Sequence, residues 1–313
     1  MTAAAPQLIH ATLAQLNKVI LGKEQQVRLA LTCLLANGHL LLEDLPGMGK
    51  TTLAHALATV CGLDYKRVQF TSDLLPADVI GATVFEAHSG QFRFHPGAVF
   101  SQIFLADELN RASPKAQSAL LEAMEEQQVS VDGTSHRLPT PFFVIATQNP
   151  STQAGTFPLP ESQLDRFLLR ISLGYPDPVV ERELLKGRSG RNLLANLQPV
   201  LNAQRLKALQ SLIPQVKMTD TLLDYLQRLI AQTRQREVCQ LGLSPRGAQA
   251  LVKSAQAWAL LQGRGHVLPE DVQAVFIAVA GHRLVGRQEA QGDQLARHIL
   301  SKVDVVGSGN GNA

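Results

Sequence analysis

Residues 39–51 read H-L-L-L-E-D-L-P-G-M-G-K-T, and the prediction of the fold starts there. The apolar beginning predicts a short strand over His39–Glu43, and the residues from Lys50 to Val60 predict a helix that Gly62 ends. Between them the chain fits the phosphate-binding pattern G-x-x-x-x-G-K-[ST], except that Asp44 stands in the place of the first glycine. A strand, a tight turn and a helix in this order are the context that the pattern requires.

The turn contains the residue types that hold a triphosphate. Gly47 and Gly49 let the backbone fold tightly with its N–H groups pointing inward, toward phosphates at a helix N-terminus. Lys50 would reach the β- and γ-phosphates, and the Thr51 hydroxyl would be a ligand of Mg²⁺. An ordinary glycine turn is the alternative. We predict a site for ATP and Mg²⁺ whose loop residues are Pro46, Gly47, Met48, Gly49, Lys50, Thr51 and Thr52.

Polar side chains follow two further apolar runs. Ile103–Ala106 predicts a buried strand that ends in Asp107 and Glu108, at the sheet edge where ligands of α/β proteins bind. Asp107 would hold the metal through its water shell, and Glu108 would orient and polarise the water that attacks the γ-phosphate. Asn149 follows the apolar run Phe142–Ala146 and is predicted to sense the γ-phosphate. The alternatives are a solvated strand end for the acids and a simple turn for Asn149.

The first half of the chain predicts an α/β domain. Strand-like runs alternate with helical ones such as Pro114–Glu126, which implies crossover connections and a mainly parallel sheet flanked by helices. We place this core at residues 1–175. Besides the first strand, the predicted strands are Lys66–Phe70, Ile103–Ala106, Phe142–Ala146 and Phe167–Leu173.

The second half predicts an all-helical lid domain. After residue 175 the strand-like runs disappear, and apolar residues recur at helical spacing in Leu222–Ile230, Ala248–Leu261 and Val272–Val279. The lid is predicted over residues 176–306, with a disordered tail over residues 307–313. Within the core, two segments have the turn residues of β-hairpins, Thr83–Phe94 and Gln128–Leu138.

Composition limits the classes of function. A chain of 313 residues with 45% apolar residues can form a core for each of two domains. The net charge is +3 and the basic residues are scattered, whereas duplex-binding proteins concentrate them on one face, so nucleic acid is not the expected partner. No stretch is long and apolar enough to span a bilayer. The cysteines have no metal or redox spacing, and we expect a cytoplasmic protein.

The text around these motifs resembles the MoxR family of AAA+ ATPases. The segments that carry the resemblance are L-A-D-E-L-N-R-A at 105–112, A-T-Q-N-P at 146–150, L-P-E-S-Q-L-D-R-F at 159–167, R-F-H-P-G at 93–97, S-A-L-L-E-A-M-E-E at 118–126 and E-D-L-P-G at 43–47. The resemblance covers nearly the whole chain. It implies an AAA+ core with a P-loop and a helical lid.

The resemblance also assigns roles to residues that their own surroundings in the sequence do not single out. Arg166 would be the arginine finger that reaches the ATP of a neighbouring subunit, and Arg170 is a rival candidate. Arg246, in the first turn of a helix that begins after Ser244, would be a sensor facing the phosphates of its own subunit. The adenine pocket would be formed by Ile20, Leu21 and Gly22.

The implied function is that of a chaperone-like ring. The resemblance suggests a homo-oligomer, a hexamer, that hydrolyses ATP to ADP and phosphate and remodels or matures a client protein. Its partner would carry a von Willebrand factor A domain, and the two hairpins would engage the client. Two other functions remain open: the ATPase subunit of a magnesium-chelatase-like complex, and a DNA-dependent motor, whose stimulation by DNA would depend on salt.

Overall fold

The computed structural model describes residues 4–149, 156–187, 193–286 and 292–306. The tail predicted over residues 307–313 lies outside these ranges, as does Pro150 of the A-T-Q-N-P segment. Among the described residues, none of the helices combines the length and the apolar character that a membrane-spanning segment needs.

Helices and strands alternate through the first part of the chain. The elements are α1 (Ala4–Val19), α2 (Glu24–Leu35), β1 (Leu40–Glu43), α3 (Lys50–Cys61), β2 (Tyr65–Gln69), α4 (Pro76–Ile80), β3 (Gly81–Glu86), β4 (Gln91–Pro96), β5 (Ile103–Asp107), α5 (Pro114–Glu126), β6 (Gln128–Val131), β7 (Thr134–Arg137), β8 (Phe143–Gln148), α6 (Glu161–Leu164) and β9 (Leu169–Ile171).

In the second part, the helices and strands of the described residues are all helices. They are α7 (Pro178–Leu185), α8 (Ala203–Leu212), α9 (Asp220–Thr233), α10 (Pro245–Leu261), α11 (Pro269–Ala280) and α12 (Gly292–Lys302). Thr219 and Ser244 cap α9 and α10, because each side chain accepts a hydrogen bond from a backbone N–H of the first turn. The expected helical character of this half is confirmed.

Five parallel strands form the central sheet in the order β2-β5-β8-β1-β9. β5 is buried along its whole length, and β8 along all but its last residue, as expected for strands covered on both faces. Their carboxyl ends meet at one edge, where Gln69 pairs with Asp107 and Glu43 pairs with Gln148. The predicted α/β fold with a parallel sheet is confirmed.

The side chains of each strand divide between two hydrophobic cores. Leu40 and Leu42 of β1 belong to the core that contains α1, α2, α3 and the helices of the second part, whereas Leu41 belongs to the core under α5. β5 divides in the same way, because successive side chains of a strand point to opposite faces. The lid helices therefore pack against the side of the sheet that also carries the phosphate-loop helix α3.

Both predicted hairpins are present as separate two-stranded sheets. β3 pairs with β4 around a turn that includes Gly90, and β6 pairs with β7 around Asp132 and Gly133, both of which have positive φ. Phe94 of the first hairpin stacks on His136 of the second, with ring centroids 3.7 Å apart. The two hairpins therefore contact each other.

His39 is buried just before β1 and is held in one tautomer. The backbone N–H of Val144 donates to its Nδ1 at 3.0 Å, so Nδ1 carries no proton, and Nε2 donates to the carbonyl oxygen of Met124 at 3.3 Å. Burial lowers the pKa of His39 to about 4, although the bond to Met124 opposes this change. The folded protein therefore keeps His39 neutral at a pH where the unfolded chain protonates it.

We predict that His39 makes the protein less stable in mild acid. The unfolded chain protonates His39 near pH 6.5, whereas the folded protein protonates it only near pH 4. The contribution of neutral His39 to the free energy of unfolding is therefore fully present above pH 6.5 and is lost as the pH falls from 6.5 to 4. When the pH is lowered from about 7 to about 5, the free energy of unfolding of the wild type should fall by about 2 kcal/mol more than that of the His39→Gln variant. Denaturant unfolding at both pH values measures it.

A matched variant separates His39 from the second buried histidine. Burial also lowers the pKa of His282, which bonds to the carbonyl oxygen of Phe167. His282→Gln should leave the His39 contribution in place, and the two effects should add because the residues share no partner. An unchanged acid dependence in His39→Gln would contradict the assignment.

Candidate functional site

A crevice of about 980 Å³ opens at the carboxyl edge of the sheet. The loop between β1 and α3 forms its floor, and Gly47 and Gly49 have φ values of 86° and 91°, a region that other residues adopt only under strain. An added Cβ at either glycine would meet no atom within 4 Å, so the space above the loop is open to a ligand. The beginning of a helix at such a loop leaves backbone N–H groups that can bind phosphates.

All seven predicted loop residues line this crevice: Pro46, Gly47, Met48, Gly49, Lys50, Thr51 and Thr52. Lys50 is buried, and its ammonium group donates to the carbonyl oxygens of Asp44 and Leu45 and, at 3.4 Å, to Oδ1 of Asn149. Burial lowers the pKa of Lys50, and the nearby carboxylates oppose this change. A phosphate could replace these neutral acceptors with a charged one.

Asp44 explains why the loop departs from the glycine pattern. Its carboxylate accepts hydrogen bonds from the backbone N–H groups of Leu173 and Gly174, directly after β9. Glycine at this position could not make these bonds. The beginning of the phosphate loop is therefore tied to the segment that leads into the helical half of the chain.

The acidic pair after β5 lies in the same crevice, and Thr147 links its two members. Thr147 Oγ1 donates to Asp107 Oδ1 at 2.7 Å and accepts from the backbone N–H of Glu108 at 2.8 Å. Glu108 has a φ of 55°, which turns its side chain away from the strand direction. Its carboxylate accepts from Asn149 Nδ2 at 3.2 Å and from Arg111 at 2.8 Å.

Asn149 joins the cation and the acid. Its side-chain oxygen accepts from Lys50 and its side-chain nitrogen donates to Glu108, while its backbone carbonyl accepts from Asn110 at 3.1 Å. Lys50, Glu108 and Asn149 come from three different strand ends, and β5, β8 and β1 bring them together because they are neighbours in the sheet. A group between them would meet a cation, a carboxylate and an amide.

Arg67 is a residue of the crevice that the sequence did not reveal. Its guanidinium donates from Nε at 3.0 Å and from Nη2 at 2.7 Å to Oδ2 of Asp107. The register of β2 against β5 makes this contact, since Gln69 pairs with Asp107 and Arg67 lies two residues earlier. Only knowledge that β2 neighbours β5 could have identified Arg67.

The apolar end of the crevice differs partly from the prediction. Ile20 and Leu21 line it as expected, but Gly22 does not. Gly22 has a φ of 67°, and a Cβ there would approach Val180 of α7 to 2.7 Å, so this glycine allows close packing of α7 and not of a base. The sequence missed the opposite side, which is formed by Tyr175, Pro176, Val180, Glu181, Leu184 and Leu185.

The three candidate arginines lie outside the lining of this crevice, within the part of the chain that the structure describes. Arg166 and Arg246 both form salt bridges at 3.0 Å with Glu125 of α5. Arg170 bridges Glu43 and Asp293, and so connects the end of β1 to α12. Of the two candidates for the arginine finger, Arg170 connects the sheet to the lid, whereas Arg166 does not bond to either of these partners.

The expectation that Arg246 faces the phosphates of its own subunit does not agree with this arrangement. Ser244, which caps α10, donates from its hydroxyl to Asp165 at 3.0 Å. This bond holds the first turn of α10 beside the segment that contains Arg166. Arg246 therefore bonds to Glu125, as Arg166 does, and does not line the crevice.

Family models match both halves of the chain. Residues 39–169 match the model of the ATPase family associated with various cellular activities (AAA), and residues 231–303 match the model of the AAA lid domain. The crystal structure of a protein from Cytophaga hutchinsonii has a TM-score of 0.87 with this chain and is 36% identical to it, covering 96% of this chain and 95% of that one.

Sequence relatives extend over nearly the whole length. The chain is 45% identical over 303 residues to the uncharacterized protein YeaC of Bacillus subtilis, covering 95% of both. It is 38% identical over 309 residues to the chaperone MoxR1 of Mycobacterium tuberculosis, covering 95% of this chain and 81% of that protein. The resemblance seen in the sequence is confirmed. The chain therefore belongs to the MoxR family of AAA+ ATPases, and it hydrolyses ATP.

Proposed function

We propose that this ATPase forms a hexameric ring that uses the energy of hydrolysis to remodel or mature a client protein. The observation that carries the proposal is the hydrogen-bonded group of Lys50, Asn149 and Glu108 in one crevice, with Arg166 outside its lining and partly buried against Glu125. Such a subunit has the groups that bind and attack ATP, whereas among the described residues the one arginine that lines its crevice, Arg67, is paired with Asp107. The relative named chaperone MoxR1 supports the chaperone-like role.

In the proposed mechanism the crevice divides its tasks among the strand ends. Lys50 leaves the carbonyl groups of Asp44 and Leu45 and binds the β- and γ-phosphates. Glu108 orients the attacking water and takes up its proton, and Asn149 holds the γ-phosphate beside Glu108. Ile20 and Leu21 contact the base on one side and α7 on the other.

The same crevice fits Mg²⁺. Thr51 and Asp107 both line it and provide only oxygen donors, which Mg²⁺ prefers. Among the described residues there is no group of three or more His, Cys, Asp and Glu that could form a metal cage. Mg²⁺ would be held there by Thr51 and, through its water shell, by Asp107, together with phosphate oxygens. When bound, it would neutralise the charge that develops on the β- and γ-phosphates.

A ring would supply the missing finger. Both Arg166 and Arg246 project outside their own crevice, and we propose that both act on the ATP of a neighbouring subunit. Head-to-tail contacts between identical subunits generate such rings, because each site then faces the opposite surface of the next subunit.

A change in the phosphate loop on hydrolysis would be transmitted to the lid through the hydrogen bonds at the beginning of the lid. Asp44 connects the phosphate loop to Leu173 and Gly174, and Lys23 donates to the carbonyl oxygen of Tyr175 at 2.6 Å. When Lys50 exchanges the Asp44 carbonyl for phosphate, the loop and this hinge segment can move together. A hinge at the end of an element is a common way to turn a ligand change into domain motion.

We propose that the joined hairpins form the surface that contacts the client. Phe92 is 74% exposed and Phe85 is 54% exposed, and their rings lie 5.2 Å apart. Exposed aromatic pairs are common at binding surfaces. The resemblance to the MoxR family further implies a partner protein that carries a von Willebrand factor A domain.

Replacement of Lys50 by Ala tests the nucleotide site on which the proposal depends. The variant should lose ATP binding, because Lys50 is, among the described residues, the only lysine that both lines the crevice and is buried. Titration with a fluorescent ATP analogue in the presence of Mg²⁺ measures this, with Lys66→Ala on β2 as a control. Normal ATP binding by Lys50→Ala would refute the proposed site.

A further inference from the structure

Glu125 is the last but one residue of α5 and holds two arginines from different parts of the chain. Its Oε2 lies 3.0 Å from Nη2 of Arg166, and its Oε1 lies 3.0 Å from Nη1 of Arg246. Arg166 follows α6 in the core, whereas Arg246 belongs to the first turn of α10 in the helical half. One carboxylate thus aligns a core guanidinium with a lid guanidinium.

Asp165 links the two segments that carry these arginines. Its carboxylate accepts from the hydroxyl of Ser244 at 3.0 Å and from Nε of Arg283 at 2.6 Å. Arg283 is itself buried, with a side-chain exposure of 4%, and also donates to the carbonyl oxygen of Phe167 at 2.6 Å. The two arginine-bearing segments are therefore held side by side, and only the directions of Arg166 and Arg246 remain to be set.

The charges of this cluster suit a polyanion. Two guanidinium groups face one carboxylate, which leaves an excess of positive charge at a partly exposed surface, where the side chains of Arg166, Arg246 and Glu125 are 27%, 46% and 38% accessible. Each arginine has five N–H donors and uses only some of them to bond to Glu125. Without the carboxylate, the two like charges would repel each other and the side chains would spread over several rotamers.

We propose that Glu125 is a positioning residue that holds Arg166 and Arg246 as one pair, so that each ring interface presents two aligned guanidinium groups to the triphosphate of the neighbouring subunit. This inference rests on the proposed function, since it requires that the arginines act between subunits. Glu125 itself would touch neither ATP nor water. Its contribution is the direction of the two donors, which is worth more than their charge alone.

The Glu125→Gln variant tests the proposal. Glutamine keeps the size but can accept from only one arginine, and its amide nitrogen faces the other. At saturating ATP the rate of hydrolysis should fall by about 10²-fold, the typical result of a misplaced catalytic group, while ATP binding stays within about twofold. Glu122→Gln, at an exposed position one turn earlier on α5, is the matched control and should be unchanged.

Mixed rings distinguish positioning from a structural defect. Glu125→Gln subunits keep an intact crevice, and Glu108→Gln subunits keep correctly placed arginines. An interface that joins this crevice to these arginines should hydrolyse ATP. In an equal mixture about a quarter of the interfaces are of this kind. Wild-type or higher activity of Glu125→Gln alone would overturn the proposal, because Glu125 would then be dispensable or would restrain the arginines. Loss of activity without recovery in the mixture would overturn it as well.

A parallel mixture shows which assumption has failed. Arg166→Ala and Glu108→Gln subunits should also complement each other. If they do and the Glu125→Gln mixture does not, the positioning role is wrong while action between subunits stands. If the Arg166→Ala mixture stays inactive, action between subunits is wrong, and the role of Glu125 falls with it.

Discussion

Glu108→Gln should bind ATP normally and hydrolyse it about 10²- to 10⁴-fold more slowly, the usual effect of removing a general base. The amide keeps the size of the side chain and can still accept a hydrogen bond from either Asn149 or Arg111, but it cannot accept a proton from water. The loop residues and Lys50 are untouched, so binding should persist. Steady-state hydrolysis and titration with a fluorescent ATP analogue measure the two effects separately.

Glu126→Gln, at an exposed position on α5, is the control for this substitution and should hydrolyse ATP at the normal rate. Turnover at the normal rate by Glu108→Gln would show that Glu108 does not activate the water. If the variant holds ATP as expected, the proposed ring should remain in its ATP-bound form. Affinity purification of this variant is then the best route to the proposed client and partner.

Arg166→Ala should reduce hydrolysis by about 10³- to 10⁵-fold, the range that an arginine finger supplies. ATP binding should change little, because Arg166 does not line its own crevice. Arg170→Ala is the informative comparison. It breaks the bridge between Glu43 and Asp293 and should affect stability more than the chemical step. Single-turnover hydrolysis and thermal unfolding of both variants separate the two roles.

The dependence on protein concentration gives a second test of Arg166. If the finger acts between subunits, the specific activity of the wild type should rise with concentration as rings form, and the activity of Arg166→Ala should stay low throughout. A wild type whose specific activity is constant down to the monomer would contradict action between subunits. Loss of ATP binding in Arg166→Ala would contradict the placement outside the crevice.

Local patterns accounted for much of the fold and the nucleotide crevice. The loop from Pro46 to Thr52, the acids after β5 and Asn149 after β8 follow from strand ends and glycine turns, which short stretches of sequence encode. The structure brings these residues together at one sheet edge. The hairpins and most of the helices also agree with the sequence, because turn residues and caps act over a few positions.

Short stretches of sequence therefore define the set of elements and the chemistry at the strand ends. Which elements are neighbours depends on tertiary packing: β2 lies beside β5, which brings Arg67 to Asp107, and α7 lies beside Gly22, which is not part of the crevice lining. Tertiary packing also directed Arg246 to Glu125 and away from its own crevice. The physical reason is that such contacts depend on the packing of segments far apart in the chain, which no local pattern of residues records.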